Sequence, residues 1–332
     1  MERIYPVYYH EFKCIAGDCP DSCCHEWDVQ VDPESANRYR AMEGALGDAL
    51  RQHLYEEDGE TYLRNVSGRC PMWRDDGLCR IQAEHGHDAL CQVCQQFPRL
   101  RHEYGDFEEV GLEMSCPEAA RLILTAQADH LCCQRVPGGA EGEYDPLDME
   151  ILRTTRARAL EILSDGTLTV PQALTALLLY GYRAQGMLDQ GETEPFSVES
   201  GLAMADELAQ EADFRDLTAF YLELEILTER WRALLETGGA VRPWSEEDRR
   251  FARYLVQRYW LQAVSDFDLA GRVKFMVVSC LMARNLGGEA VQTIQLYSKE
   301  IENNTANVEA ILDGAYTEPS MTDRGLLWLL NK

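Results

Sequence analysis

Beyond residue 148, apolar residues recur at intervals of three and four along almost the whole chain. That spacing predicts about eight helices, from MEILRTTRARALEILSDG through DLTAFYLELEILTERWRALLETGG to TANVEAILDGAY. Several close at a glycine, as helix C-caps do, and their apolar faces suit an orthogonal or bundle-like array.

The first 134 residues follow a different pattern. Residues 1–30 are irregular, with Tyr5, Pro6, Tyr8, Tyr9 and Phe12 suited to a short strand or an extended arm. Asp32 caps and Pro33 opens a helix running through ESANRYRAMEGALGDALRQHLYEE, which ends at the turn EDGE. TYLRNVSGRCPMW and LCRI flank a DDG turn, predicting a small hairpin with Cys70 and Cys79 near its ends. IQAEHGHDALCQVC reads as a short helix stopped by Pro98, HEYGDFEEVGLEMS as a strand pair, and PEAARLILTAQADHLCC as a long helix begun at Pro117. RVPGGAEGEYDPLD, residues 135–148, is rich in Gly, Pro and acids and has the composition of a linker. The expected fold is mainly α: a cysteine-rich metal-binding region with short β-hairpins at 1–134, then a multi-helical array at 149–332.

With 45% hydrophobic and 27% charged residues over 332 positions, the chain is of globular composition. The net charge of −26 is evenly spread, with 12 basic against 25 acidic residues in 1–134 and 19 against 32 in the remainder. Both halves therefore repel nucleic acid and anionic membranes, while a basic protein segment is electrostatically welcome. No apolar run reaches the roughly 18 residues of a membrane span, and the first residues lack a signal-peptide layout, so the expected location is the cytoplasm.

In that compartment thiols stay reduced, so dense cysteines read as ligands and not as disulfides. Nine of the twelve lie in the first 116 residues: Cys14, Cys19, Cys23, Cys24, Cys70, Cys79, Cys91, Cys94 and Cys116. Most sit beside a Pro, a Gly or another Cys, where tight turns let sulfurs converge on a metal or an iron-sulfur centre. The spacing C-x4-C-x3-C-C from Cys14 is neither the C-x3-C-x2-C triplet of radical enzymes nor a paired zinc ribbon, although Cys91 and Cys94 alone have C-x2-C spacing. Cys116, just ahead of a helix, is expected to have a lowered thiol pKa. His25 follows the Cys pair directly and is a candidate ligand or donor to a ligand sulfur. Cys132 and Cys133 are expected to end the long helix, and Cys280 to pack in a core.

GDCPDSCCHEWDVQVDPE, CPMWRDDGLCRIQAEHG, LCQVCQQFPR and LEMSCPEAARLIL together resemble the flagellin lysine N-methylase (FliB-type) family, whose cysteine block is similar to that of the YkgJ-like CxxCxxCC metal-binding proteins. The resemblance covers roughly residues 10–124. It implies methyl transfer from S-adenosylmethionine to lysine side chains of flagellin, with an iron-sulfur cluster held by cysteine. Carried over by position, the metal-binding set is Cys14, Cys19, Cys23, Cys24, Cys70, Cys79, Cys94 and Cys116, with Cys91 a ninth that departs from the family pattern. Eight thiols exceed the four that one 4Fe-4S cluster takes, so either some are structural or there are two centres. Cys19, Cys23, Cys79 and Cys94 rank first for a single cluster.

Methylation needs a neutral lysine amine, hence a group that takes its proton, for which Glu26, Glu113 and Tyr104 lead, with Glu118 and Tyr9 behind. The carboxylate of S-adenosylmethionine suits Arg99 or Arg121. No glycine-rich turn follows a strand, so a Rossmann cofactor site is not expected. A non-enzymatic iron- or zinc-binding protein with a helical interaction domain is the alternative.

Overall fold

The structure, a computed structural model, describes residues 1–25, 27–191 and 195–332. Its first strand, β1 (Glu2–Pro6), stands inside a four-stranded sheet whose order is β5 (Arg99–Glu103), β6 (Phe107–Leu112), β1, β7 (Leu131–Arg135). The chain leaves this sheet after β1 and returns only at the hairpin β5–β6. In between it builds a second, three-stranded antiparallel sheet from β2 (Val29–Val31), β3 (Leu54–Glu57) and β4 (Glu60–Leu63), in the order β2-β4-β3. Four helices accompany it: α1 (Pro33–Ala41), α2 (Gly44–His53), α3 (Arg80–His85) and α4 (Gln92–Gln96). Then come β5 (Arg99–Glu103), β6 (Phe107–Leu112), α5 (Pro117–Thr125) and β7 (Leu131–Arg135). β6 runs parallel to β1, and β7 pairs antiparallel on its other edge.

The remainder is helical: α6 (Pro146–Ser164), α7 (Val170–Gln190), α8 (Val198–Leu208), α9 (Phe214–Glu223), α10 (Glu229–Thr237), α11 (Glu246–Tyr259), α12 (Leu269–Asn285), α13 (Ala290–Tyr297), α14 (Thr305–Thr317) and α15 (Asp323–Leu330). The axis of this array is α12, whose residues from Leu269 to Arg284 are all buried. Apolar side chains all round it suit a central helix, each contributing roughly 1.5–3 kcal/mol on burial. Its cations reach partners at the rim: Arg272 pairs with Asp266 at 2.6 Å and Lys274 with Asp323 at 3.3 Å. α7 approaches closely through Gly181, where a Cβ would lie 2.7 Å from a methyl of Val273.

Several sequence expectations change. The helix expected from Asp32 to Glu57 breaks at Met42–Glu43, where Gly44 takes a positive φ of 80°, and its last residues join β3. TYL pairs with β2 and β3, so only a single bridge, Trp73 with Cys79, remains of the hairpin expected around Cys70 and Cys79. Cys132 and Cys133 lie in β7, opposite Tyr5 and Ile4, because the edge of β1 offers free backbone groups that a longer helix would leave unpaired. α9 and α10 replace one long helix. Between them Leu227 N–H and Thr228 Oγ1 donate to the buried carboxylate of Glu300, which favours an open backbone there over a continued helix.

Two buried cores result. The larger takes Tyr8, Phe12, Phe107, Leu112, Met114 and α5 together with the helical array, and so draws on both sides of residues 135–148. The smaller is confined to Val29–Cys91.

Candidate metal centre

All nine cysteines of the first 116 residues line one cavity of about 740 Å³, bounded by the small sheet and its helices, the segment Phe97–Arg99, the start of α5 and the turn after α13. That volume falls in the ~300–1,000 Å³ range of small-molecule and cofactor sites. Every cysteine of the chain is a free thiol.

The sulfurs fall into two groups. Cys70 and Cys91 are buried in the smaller core, with Cys24, Cys79 and Cys94 packed against it. Backbone contacts fix this inner group: Cys70 N–H donates to Cys24 O at 2.7 Å, and Cys91 starts α4 by accepting from Gln95 N–H at 2.9 Å. Cys116 instead caps α5 and packs against the larger core. Its electrostatic neighbours are Cys19 and Cys14, so with Cys23 these form an outer group at the seam between the cores. Cys23 touches both groups through its bond to Cys24.

S–H hydrogen bonds set the thiol acidities. Cys24 is held well below the usual thiol range because Cys23 and then Cys70 donate to it, and both donors are correspondingly raised. Cys91 is lowered to about 7 by the S–H of Cys94, which rises in turn. Cys116 does not behave as its helix position implies: burial pushes it up to about 11, outweighing the N–H groups of Ala119 and Glu118.

The loop bearing the outer group is tied to the helical half through Asp21. Lys299 Nζ donates to Asp21 Oδ1 at 2.8 Å, and Gln295 Nε2 to Oδ2 at 2.9 Å and to Ser115 O at 2.7 Å. Sequence reading passed over these residues. Asp21 and Ser115 carried the clue of sitting among cysteines, whereas Gln295 and Lys299, one helical turn apart in a distant helix, carried none.

Glu113 lines the cavity wall. Burial is the main reason its carboxyl is raised to about 7; Arg258 pulls it back and Glu302 adds to the rise. Behind it, Arg258 Nη1 bonds Glu302 Oε1 at 3.0 Å and the Tyr254 hydroxyl at 2.6 Å, with Glu113 Oε1 4.0 Å from Nη2. Arg99 also lines the cavity, its guanidinium 5.4 Å from the ring centroid of Phe12. His25 lines it too, bridged to Arg69 and set edge-on to Trp73 at 4.9 Å.

The other candidates lie elsewhere. Tyr104 stacks on Phe107 at 4.6 Å, and burial holds its phenol above the ordinary range. Arg121 is engaged by Glu118 through two bonds of 2.6 and 2.7 Å on the surface of α5, and Tyr9 packs edge-on to His10. None of Tyr104, Arg121, Glu118 and Tyr9 lines the cavity. Glu26 lies outside the described residues.

The donor set fits a thiophilic metal: sulfur predominates, and two buried polar atoms of wall residues, His25 Nε2 and Ser115 Oγ, have no hydrogen-bond partner among the described residues. Among the described residues no three His, Cys, Asp or Glu side chains stand at metal-holding geometry. The sulfurs are arranged as hydrogen-bonded thiols. No described helix is long and apolar enough to cross a membrane.

Fold and site define a mainly helical protein with a thiol-lined cavity inserted beside its helical core. No protein-family model matches the chain, and no solved structure does. A 126-residue stretch is 32% identical to the flagellar biosynthetic protein FliU of Salmonella muenchen, covering 36% of this chain and 75% of that one. Stretches of the same length are 31% identical to the lysine-N-methylases of Salmonella choleraesuis and Salmonella typhimurium, covering 36% of this chain and 31% of each. The chain belongs to the flagellin lysine N-methylase (FliB-type) family. It spans under a third of the two lysine-N-methylases it matches.

Proposed function

We propose that this protein transfers methyl groups from S-adenosylmethionine to lysine side chains of flagellin, in the cavity lined by its cysteines. One observation carries the reading: thiols from distant segments, a buried carboxyl and an arginine share one cavity large enough for a cofactor and a substrate side chain. The name lysine-N-methylase borne by two relatives supports reading methyl transfer as the reaction of that cavity.

An iron-sulfur cluster is assigned to three of the outer thiols Cys14, Cys19, Cys23 and Cys116, which line the same cavity as Glu113. The quartet ranked first from sequence spans both groups, with Cys79 and Cys94 packed against the smaller core. Held by three of the outer thiols, the bound cluster would keep one iron free of cysteine, and that iron would supply a Lewis acid able to chelate the amino and carboxylate groups of S-adenosylmethionine. Arg99 offers the carboxylate a second cation.

Glu113 takes the proton. A lysine enters as the ammonium ion, its N–H proton passes to a Glu113 carboxylate oxygen, and the freed lone pair attacks the sulfonium methyl carbon. As the new N–C bond forms, the C–S bond breaks and its electrons return to sulfur, leaving a neutral thioether. A carboxyl titrating near 7 is poised for this transfer at neutral pH. The acidic surface draws in a basic substrate segment.

The test incubates anaerobically purified protein with labelled S-adenosylmethionine and flagellin from the same cell, and maps methyl-lysine by mass spectrometry. Label on flagellin lysines is expected. Unmodified flagellin, with S-adenosylmethionine binding undiminished after iron is chelated, would sink both the activity and the role of the cluster.

A further inference from the structure

Among the described residues four aromatic side chains are exposed, and three of them, Tyr182, Phe267 and Tyr316, gather at one place on the helical array. They come from separate parts of the chain: Tyr182 from α7, Phe267 from the loop ahead of α12, and Tyr316 from the last turn of α14. Hydrogen bonds knit the place together. The Tyr182 hydroxyl donates to Asp323 at 2.7 Å, that of Tyr316 donates to Asp268, and Gln185 Nε2, one turn on from Tyr182, donates to the Phe267 carbonyl at 2.8 Å. A single exposed ring is ordinary, whereas adjoining exposed rings from three segments are the mark of an interaction site.

Phe267 adds a second sign. Its backbone has a φ of 59°, in the left-handed region that a bulky side chain enters only at a cost. Folding recovers little of that cost, because the residue is 49% exposed. Asparagine or glycine would make the same turn with less strain, so the phenyl ring serves something other than the free chain.

The surrounding charges identify the occupant. Asp266 and Asp268 flank Phe267 in the chain, Asp323 holds Tyr182, and Asp189 shares the Gln185 amide at 2.9 Å. The cations bonded to them are turned inward: Arg272 and Lys274, with side-chain exposures of 9% and 7%, pair with Asp266 and Asp323. Burial first, and then the carboxylates of Asp323 and Asp268, hold both phenols above the ordinary range. A second copy of the chain, with the same acids and a net charge of −26, is repelled from this face. A lysine or arginine is attracted twice, by the carboxylates and by the faces of the rings.

We propose that Tyr182, Phe267 and Tyr316 with their acidic rim are a docking site, outside the thiol cavity, for a lysine- or arginine-bearing segment of the protein substrate. That the docked protein is the one methylated rests on the methyl-transfer reading. α14 connects the two sites: Asn304, its N-cap, lines the cavity, and Tyr316 stands twelve positions further along, about 18 Å at the helical rise. An extended chain needs about six residues to cover that distance. A segment seated on the rings therefore leaves a lysine that far along the substrate free to enter the cavity.

The experiment measures the affinity of flagellin from the same cell, and its methylation, for full-length wild-type protein, Phe267→Asn, Tyr316→Ala and the double variant. Asparagine tolerates a positive φ, so Phe267→Asn should keep or raise Tm while it weakens binding, which separates docking from folding. Each single variant should raise the dissociation constant several-fold and the double variant about tenfold, and wild-type binding should weaken as salt rises. In methyl transfer the loss should fall on KM for flagellin and not on kcat. Equal affinity of all four proteins, or none, overturns the docking site, and methyl transfer is then judged by its own label. Binding that weakens in the variants while no protein transfers methyl groups overturns the reaction and leaves the docking site standing. A wild-type dimer in sedimentation that the variants split places a second copy on the rings and overturns the proposal.

Discussion

Arg258→Met tests the buried network that backs Glu113. In the native chain Arg258 and Glu302 have side-chain exposures of 11% and 0%, with the Tyr259 hydroxyl donating to Glu302 at 3.0 Å. Methionine fills similar space but leaves the carboxyls of Glu302 and Glu113 facing one another without a cation. Breaking a buried pair from one side costs about 3–5 kcal/mol. Over 332 residues the unfolding entropy is about 0.7 kcal/mol per degree, so a loss of 4 kcal/mol lowers Tm by about 6 °C.

The loss should depend on pH with a definite sign. A carboxyl raised in the folded state holds a proton that the unfolded chain has already released, so its stabilising contribution is present at low pH and fades as pH rises toward the folded pKa. For Glu113 the native window runs from the ordinary carboxyl value of 4.5 up to about 7, and without the arginine it extends higher. Calorimetry from pH 5 to 8 should therefore show the deficit of the variant growing with pH. Adding Glu302→Met to Arg258→Met removes the stranded charge and should recover most of it. A deficit under about 1 kcal/mol at pH 8, or one equal at pH 5 and 8, would refute the reasoning.

Other consequences are as direct. Glu113→Gln should flatten the rise with pH near 7 expected of the proposed methyl transfer in a pH–rate profile, and should stabilise the protein more at pH 8 than at pH 5, because the native carboxyl must ionise while buried. Gly181→Ala should cost about 1–3 kcal/mol in urea unfolding despite the better helix propensity of alanine, since its Cβ would overlap Val273. Asp21→Asn weakens the bonds from Lys299 and Gln295 and should speed the reaction of a thiol reagent with Cys14, Cys19 and Cys23 several-fold, while Cys280 in α12 stays unreactive; equal rates in variant and wild type would show that the tie does not order the loop.

What could be read in advance depended on how local the cause was. α6 and α7 follow from Pro and cap residues within the same stretch, Asp145 and Thr169 each accepting from a backbone N–H of the first turn. The β5–β6 hairpin was equally legible, with Gly105 at φ 90° supplying its turn. β7 was not, because nothing in DHLCCQ reveals that residues 1–6 will offer it a sheet edge. Nor does YLELEILTERW announce its break, which Glu300 and Asn307 impose from more than seventy residues away. Within the site, the clustering of cysteines along the sequence was plain. Their partition was not, since it depends on which core each turn packs against.

The excursion between β1 and β5 has a consequence for how the molecule tolerates surgery. Its departure and return points touch, with the Arg99 guanidinium stacked over the Phe12 ring. Residues 13–98 are thus a detour that begins and ends at one place, as in tolerated domain insertions. Bridging Phe12 to Arg99 by a short flexible linker should leave a folded helical body that has shed the sulfur chemistry along with the loop that housed it.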